Sequence, residues 1–309
     1  MVETTVELIG APVEAGAGRR GCVMGPSALR VAGIEAAFAS LGYSVVDRGD
    51  ITPAADPAVR LDGAARNAPE VAGWTRALES AAYQSMQRGA FPVFLGGDHS
   101  LSMGTVSGVA RYAAETGRPV FVLWLDAHAD FNTPKISPSG NMHGMPVAFF
   151  CGEAGFDGIL PANRPLVSPK NVYQLGIRSV DPAERDAIGL RGVNVFDMRA
   201  LDERGAAAIM RDVIHTVSEA RGVLHVSLDV DFLDPEVAPG VGTTVPGGAT
   251  FREAHLVMEM LSDSRLVASL DLVELNPFLD DRGKSARIMV ELTASLFGRR
   301  IFDRPTQAA

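Results

Sequence analysis

The 309-residue chain is 47% hydrophobic and 21% charged, values of a folded globular protein rather than a disordered one, with length for one large α/β domain or two average ones. A formal net charge of −9 without any Lys/Arg-rich block argues against nucleic acid or an anionic membrane as the main partner. No uninterrupted apolar run approaches the roughly 18 residues of a membrane span, and Met1-Val-Glu-Thr-Thr lacks the basic start of a secretory signal, so a cytoplasmic location is expected.

In chain order, short β-branched or aromatic runs alternate with longer Ala-rich stretches of helical period. A strand near 4–10 is followed by a helix over 26–41, with Pro26 near its start and Gly42 after its end. Next come strand 43–47, helix 69–88, strand 91–96, helix 101–115 and strand 120–126. The second half reads as strand 171–177, helix 181–188, strand 193–197, helix 200–221, strand 222–229, helix 250–262, strand 266–274 and helix 284–298. This alternation predicts a parallel sheet of eight strands with helices on both faces. With no internal repeat, Ser/Gly linker or composition break, residues 1–309 are expected to form a single domain. Three long connections, 127–142, 151–170 and 232–249, are rich in Gly, Pro, Ser and Asn and follow strand ends, the edge where open α/β sheets bind ligands.

Six residues suited to divalent metals lie in three clusters: His99 in Gly-Gly-Asp-His-Ser, Asp126, His128 and Asp130 in Asp-Ala-His-Ala-Asp, and Asp229 and Asp231 in Ser-Leu-Asp-Val-Asp. Side chains at i, i+2 and i+4 of an extended segment share a face, so each cluster can converge on one point. The clusters follow or overlap the apolar runs 120–125 and 223–228, and no Arg or Lys is interleaved to neutralise the acids. Gathering carboxylates there costs hydration and mutual repulsion, which a cation offsets. Four carboxylates and two imidazoles suffice for two ions, and a carboxylate-rich set favours Mn²⁺ ahead of Zn²⁺, Fe²⁺ or Co²⁺. Two ions about 3.5 to 4 Å apart can bridge one water and make it a hydroxide nucleophile. There is no Gly-x-Ser-x-Gly elbow and no cysteine in a nucleophile motif, so hydrolysis by direct attack is the simplest chemistry.

Other features read as structural. Cys22 and Cys151 are expected to be reduced structural thiols. Gly16-Ala-Gly-Arg-Arg-Gly21 does not match a nucleotide fingerprint, and Gly96-Gly97 is expected to let the backbone turn sharply and bring His99 inward. His215 and His255 fall mid-helix and suit solvent or packing roles. His225 shares strand parity with Ser227 and Asp229, from where it could orient a ligand carboxylate.

Taken together, the residues resemble the ureohydrolases, the arginases in particular. The resemblance runs through Gly25-Pro-Ser-Ala-Leu-Arg30, Gly96-Gly-Asp-His-Ser100, Asp126-Ala-His-Ala-Asp-Phe-Asn-Thr-Pro134 and Ser139-Gly-Asn-Met-His-Gly144. It continues in Gly176-Ile-Arg-Ser-Val-Asp-Pro-Ala-Glu184, Ser227-Leu-Asp-Val-Asp-Phe-Leu-Asp-Pro235, Gly247-Gly248 with Arg252-Glu253, and Asp271-Leu-Val-Glu-Leu-Asn-Pro277. It implies a three-layer α/β/α sandwich around an eight-stranded, mainly parallel sheet. It also implies a di-manganese centre, cleavage of a guanidinium to an amine and urea, and assembly as a homotrimer or homohexamer. By the same resemblance all six clustered residues are metal ligands, Asp130 also holds the hydroxide and takes its proton, and His143 is a general acid or proton shuttle. His143 has a proton affinity suited to that task. Glu274 would face the guanidinium, a planar cation that matches a carboxylate fork.

The substrate must be read from the groups around its tail. Asn132, Ser137 and Ser139 match the arginase loop that holds an α-carboxylate, and Asp181 and Glu184 match positions facing the α-amine; Thr243 joins the implied substrate contacts. Together they favour L-arginine. Asp181 before Pro182 would equally serve as a helix cap. Lys135 and Ser137 stand where the loop often has Leu and Thr, Thr244 departs from the usual Thr-Pro, and Ser179 replaces a common Asp. The alternatives are another ureohydrolase such as an agmatinase or guanidinobutyrase, a dimetal phosphoesterase or deacetylase-like amidohydrolase, and a non-catalytic metal-binding arginine sensor. Acids at 181 and 274 give no advantage with phosphate or neutral amide substrates.

Overall fold

The computed structural model describes residues 4–302. Each expected strand forms: β1 Thr5–Ala11, β2 Ser44–Asp50, β3 Phe91–Gly96, β4 Val120–Leu125, β5 Val172–Ile177, β6 Asn194–Asp197, β7 Val223–Asp229 and β8 Val267–Val273. They make one sheet in the order β2-β1-β3-β8-β7-β4-β5-β6. Every neighbouring pair is parallel.

Burial on both faces explains the continuous apolar runs. In β4 all six residues of Val-Phe-Val-Leu-Trp-Leu are buried, and alternate ones enter opposite cores. Phe121, Leu123 and Leu125 pack into one hydrophobic cluster. Val120, Val122 and Trp124 pack into the other.

The helices are α1 Gly25–Val31, α2 Ile34–Ser40, α3 Ala68–Gln87, α4 Ser102–Glu115, α5 Pro146–Cys151, α6 Pro182–Arg191, α7 Met198–Arg204, α8 Ala206–Glu219, α9 Phe251–Ser264 and α10 Lys284–Leu296. Residues of α3, α4 and α5 cover one face of the sheet. Those of α1, α2, α8, α9 and α10 cover the other, completing a three-layer α/β/α fold.

Two expected helices are each broken by a glycine. The stretch 26–41 divides at Gly33, whose φ of 90° lies in the left-handed region, and 200–221 divides at Gly205, with φ 76° and ψ 146°. The first break matters physically. Cys22–Ser40 is long and apolar enough by composition to cross a bilayer, but α1 and α2 are seven residues each, about 10 Å apiece against a roughly 30 Å hydrocarbon core. Helix α5 has six residues, too few to show a period.

The strand order brings the carboxyl ends of β3, β8, β7 and β4 side by side at the centre of the sheet. There the chain's strand sequence reverses direction, which opens a crevice between diverging connections. The clusters after β3, β4 and β7 therefore meet.

Candidate active site

His99 follows β3 through Gly96-Gly97-Asp98. The chain bends at Gly97-Asp98 and His99 is buried, as expected, but neither glycine has a positive φ, so the bend does not draw on their conformational freedom. They supply clearance: a Cβ on Gly97 would lie 1.9 Å from the Val13 carbonyl oxygen, and one on Gly96 2.5 Å from that of Leu272. The peptide beyond then docks on the end of β1, with Gly97 N–H donating to Ala11 O and Asp98 N–H to Val13 O, both at 2.8 Å. Asp98, fully buried, accepts from the Gly16 and Ala17 amides and thereby ties the 14–21 loop over the site. Sequence reasoning passed over Asp98, although it lies inside the His99 motif.

His99 Nδ1 stands 3.0 Å from Asp126 Oδ2, 3.2 Å from Asp130 Oδ2 and 3.1 Å from Asp229 Oδ2. Its other nitrogen, Nε2, is 2.8 Å from Ser227 Oγ, and its ring stacks on Trp124 with centroids 4.0 Å apart. Asp126 is shared: its Oδ1 lies 3.5 Å from His128 Nδ1, which is 3.1 Å from Asp231 Oδ2. Two positions for a cation result, one at His99, Asp126 and Asp130 and one at Asp126, His128 and Asp231.

The donor atoms fit divalent ions. His99 Nδ1 and Asp126 Oδ2 are buried without a hydrogen-bond partner. With Nε2 paired to Ser227, Nδ1 faces three carboxylate oxygens, which despite burial raise the ring's proton affinity well above its ordinary value; a proton or a metal cation at Nδ1 makes that arrangement favourable, and the donor set suits the metal. The acids report the same cost. Burial, then the charges of Asp231 and Asp126, push Asp229 well above the carboxylate range, and burial with the Asp126 charge lifts Asp130 to about 6. Asp231 is raised for the same two reasons. Asp126 alone is lowered, because its two imidazole neighbours outweigh its burial. Among the described residues no Arg or Lys side chain lies in ion-pair distance of these four carboxylates. One guanidinium does approach from behind, where Arg178 donates to main-chain carbonyls including that of Asp231 at 2.6 Å.

Glu274, 3% exposed, ends the apolar run of β8. Its Oε1 accepts from the His99 amide at 2.8 Å and lies 2.8 Å from His143 Nδ1. Burial opposes its charge, but the facing His143 outweighs this and keeps it ionised. Reciprocally, burial lowers the proton affinity of His143, while the charge and hydrogen bond of Glu274 raise it to about 9. Asp130 and Glu274 adopt φ of 50° and 63°, left-handed values that cost about 1–3 kcal/mol for such residues and cluster where function demands them. Around Asp130 the backbone is pinned: Val147 N–H donates to Asp130 O, Asn132 N–H to Gly144 O, and Phe131 N–H to Glu184 Oε1 at 2.7 Å.

The tail-binding residues expected from sequence come to the same place. Asn132, Ser137, Ser139, Asp181, Glu184 and Thr243 line one cavity of about 180 Å³ with His99, His128, Asp130, His143, Asp229 and Glu274. Asp126 and Asp231, each 1% exposed, lie beneath it. Asn141 and Gly144 also line the cavity and were not singled out by the sequence, and Ser179, noted there as a departure from the usual Asp, lines it too. Asp181 caps α6, and Glu184 three residues on reaches back to the Asp181 amide at 3.1 Å; Asn132 Nδ2 donates to Asp181 Oδ2 at 3.1 Å. The cap and the cavity wall are the same carboxylate. Thr243 Oγ donates to Asp231 Oδ2 at 3.1 Å.

His225 does not touch a clustered carboxylate. Its Nδ1 lies 2.8 Å from Ser269 Oγ and its Nε2 3.2 Å from Asp271, because at β7 position 225 its cross-strand partner on β8 is Ser269. His255 packs on Phe251 and bonds Ser295, and His215 is exposed. Cys22 and Cys151 are buried and unpaired, and burial pushes both thiols up, as inert structural cysteines require.

Comparison with known proteins gives a consistent picture. The Arginase family model matches residues 4–298. An arginase of Brucella melitensis biotype 1 is 56% identical over 301 residues, covering 97% of this chain and 98% of that protein. An arginase of Bacillus caldovelox is 42% identical, over 96% and 99% of the two chains. The crystal structure of arginase from Bacillus cereus superposes with a TM-score of 0.89 at 40% identity, over 97% of this chain and all of that one. Likeness that extends from fold to motif order over nearly the whole length has one explanation: the chain belongs to the arginase family.

Proposed function

We propose that the protein hydrolyses L-arginine to L-ornithine and urea, using two Mn²⁺ ions held by His99, Asp126, His128, Asp130, Asp229 and Asp231. When bound, such ions polarise a water and lower its pKa so that hydroxide is available at neutral pH. Asp130, at the cavity wall, accepts the proton of the attacking group. Glu274 pairs with the guanidinium and aligns its central carbon, and His143, held against Glu274, protonates the departing amine nitrogen as the C–N bond breaks. Asp181 takes the α-ammonium, aided by Glu184, while Asn132, Ser137, Ser139 and Thr243 serve the carboxylate end as neutral donors. In keeping with the resemblance, the assembly is a homotrimer or homohexamer of single-domain subunits in the cytoplasm.

The observation that carries this reading is the joint presence of Glu274 and Asp181 on one cavity with three neutral donors, Asn132, Ser137 and Ser139. Two separated acids suit a substrate with two cationic groups. Comparing kcat/KM for urea release from L-arginine, agmatine and guanidinobutyrate tests it: L-arginine should exceed both by at least about a hundredfold, since unpaired buried polar groups penalise analogues that lack a partner. Preference for agmatine or guanidinobutyrate would reassign the substrate. For His143→Asn, a rate lower by about a hundredfold with unchanged Mn²⁺ content is expected; loss of manganese would move His143 into the ligand shell.

A further inference from the structure

Arg178 follows β5, outside the ligand clusters and outside the cavity lining. Its backbone is bound to the ligand segment after β4: Arg178 N–H and Ser179 N–H both donate to Ala127 O, at 2.8 and 3.0 Å, and Ser179 bridges to His128. Ala127 lies between the ligands Asp126 and His128. The guanidinium then reaches the other two segments around the same point. Nη2 donates to Asp231 O at 2.6 Å and to Val245 O at 2.7 Å, Nε donates to Val245 O at 3.1 Å, and Nη1 returns to Gly176 O at 3.1 Å. Val245 belongs to the loop whose Thr243 hydroxyl donates to Asp231 Oδ2. Gly248 leaves room for this fork, since a Cβ there would lie 2.6 Å from Arg178 Nη2.

The other cation position is held differently. His99 is fixed by Glu274 at its amide and Ser227 at its ring, and Asp130 by the contacts of residues 131, 132 and 147. Arg178 donates to none of these.

We infer that Arg178 is a positioning residue for the cation position formed by Asp126, His128 and Asp231, and not for the one at His99. A planar, rigid fork can join carbonyls of three segments at once; a lysine ammonium, a point donor on a flexible stem, cannot. This rests on the proposed two-ion reading.

Manganese titration of metal-stripped protein tests it by calorimetry, with electron paramagnetic resonance to separate coupled from isolated Mn²⁺ and circular dichroism to check folding. Wild type should take up two equivalents and show a coupled pair. Arg178→Lys should keep one equivalent at wild-type affinity and lose about ten- to a hundredfold at the other, the usual cost of removing a group that orients a ligand, with the spectrum becoming that of an isolated ion. Arg178→Gln should match Arg178→Lys. Equal weakening of both positions, or no weakening of either, would overturn the inference; so would rescue by Lys alone, which would assign the effect to charge. Fewer than two equivalents in wild type would overturn the two-ion reading and this inference with it, whereas two undisturbed equivalents in all three proteins overturn only the role of Arg178.

Discussion

Asp130→Asn is expected to lower urea release from L-arginine by at least about a thousandfold, toward the upper end of what a positioned proton acceptor supplies. The substitution is unusually clean. Asp130 holds φ 50°, and Asn tolerates the left-handed region as well as Asp does, so the backbone pinned by Val147, Asn132 and Glu184 should keep its course. Volume is preserved. What disappears is the negative charge beside His99 and the ability to accept a proton. Steady-state assays with metal analysis read both consequences, and near-normal kcat with full manganese would remove Asp130 from the reaction. The variant should melt at or above the wild-type temperature in the absence of metal. Burial and the Asp126 charge already push the native carboxyl up to about 6, so the wild-type fold carries that repulsion.

Glu274→Gln is expected to cost about 2–5 kcal/mol in kcat/KM, the range for removing one charge of a buried pair. The amide oxygen of Gln can still accept from the His99 N–H, so that metal ligand should stay in place. The lost term is the charge that faces the guanidinium and His143, and a large share of the effect should appear in KM. The pH profile adds a sign. A proton-donating His143 is active when protonated, and Glu274 raises its proton affinity; removing that charge lowers it. Activity should then fall off at lower pH on the alkaline side than in wild type. An unshifted alkaline limb with unchanged KM would exclude Glu274 from both tasks.

Much of this is legible in the sequence because the fold and the chemistry leave strong local marks. Doubly covered strands must be buried throughout: Val120–Leu125 is wholly apolar, Val223–Leu228 is interrupted only by His225 and Ser227, and ligand carboxylates must follow them directly where the sheet ends. The i, i+2 spacing brings Asp126 and His128 together, but Asp229 faces His99 while Asp231, in a 3-10 turn, faces His128, so the expected convergence of that second pair on one point is not what forms. What stayed hidden was set by neighbours distant in sequence. Gly96 and Gly97 read as turn formers and the chain does bend at Gly97, but that a side chain at either position would collide with the backbone of Val13 or Leu272 could not be read. His225 has the parity of a ligand's neighbour, yet register with β8 gives it Ser269 and Asp271. Gly33 and Gly205 lie within otherwise helical patterns, where a single glycine costs only about 1 kcal/mol and does not reveal whether the helix continues. Arg178 carries no sequence signal of its own, since its partners are main-chain carbonyls.

Carbon-13 NMR of L-arginine labelled at the guanidino carbon reads directly which bond of the substrate is broken. With manganese-loaded protein the label should move entirely into urea, with one L-ornithine formed per urea, and dialysis against EDTA should stop the conversion. Label appearing in citrulline with release of ammonia, or arginine left intact by the fully loaded protein, would exclude hydrolysis of arginine to ornithine and urea.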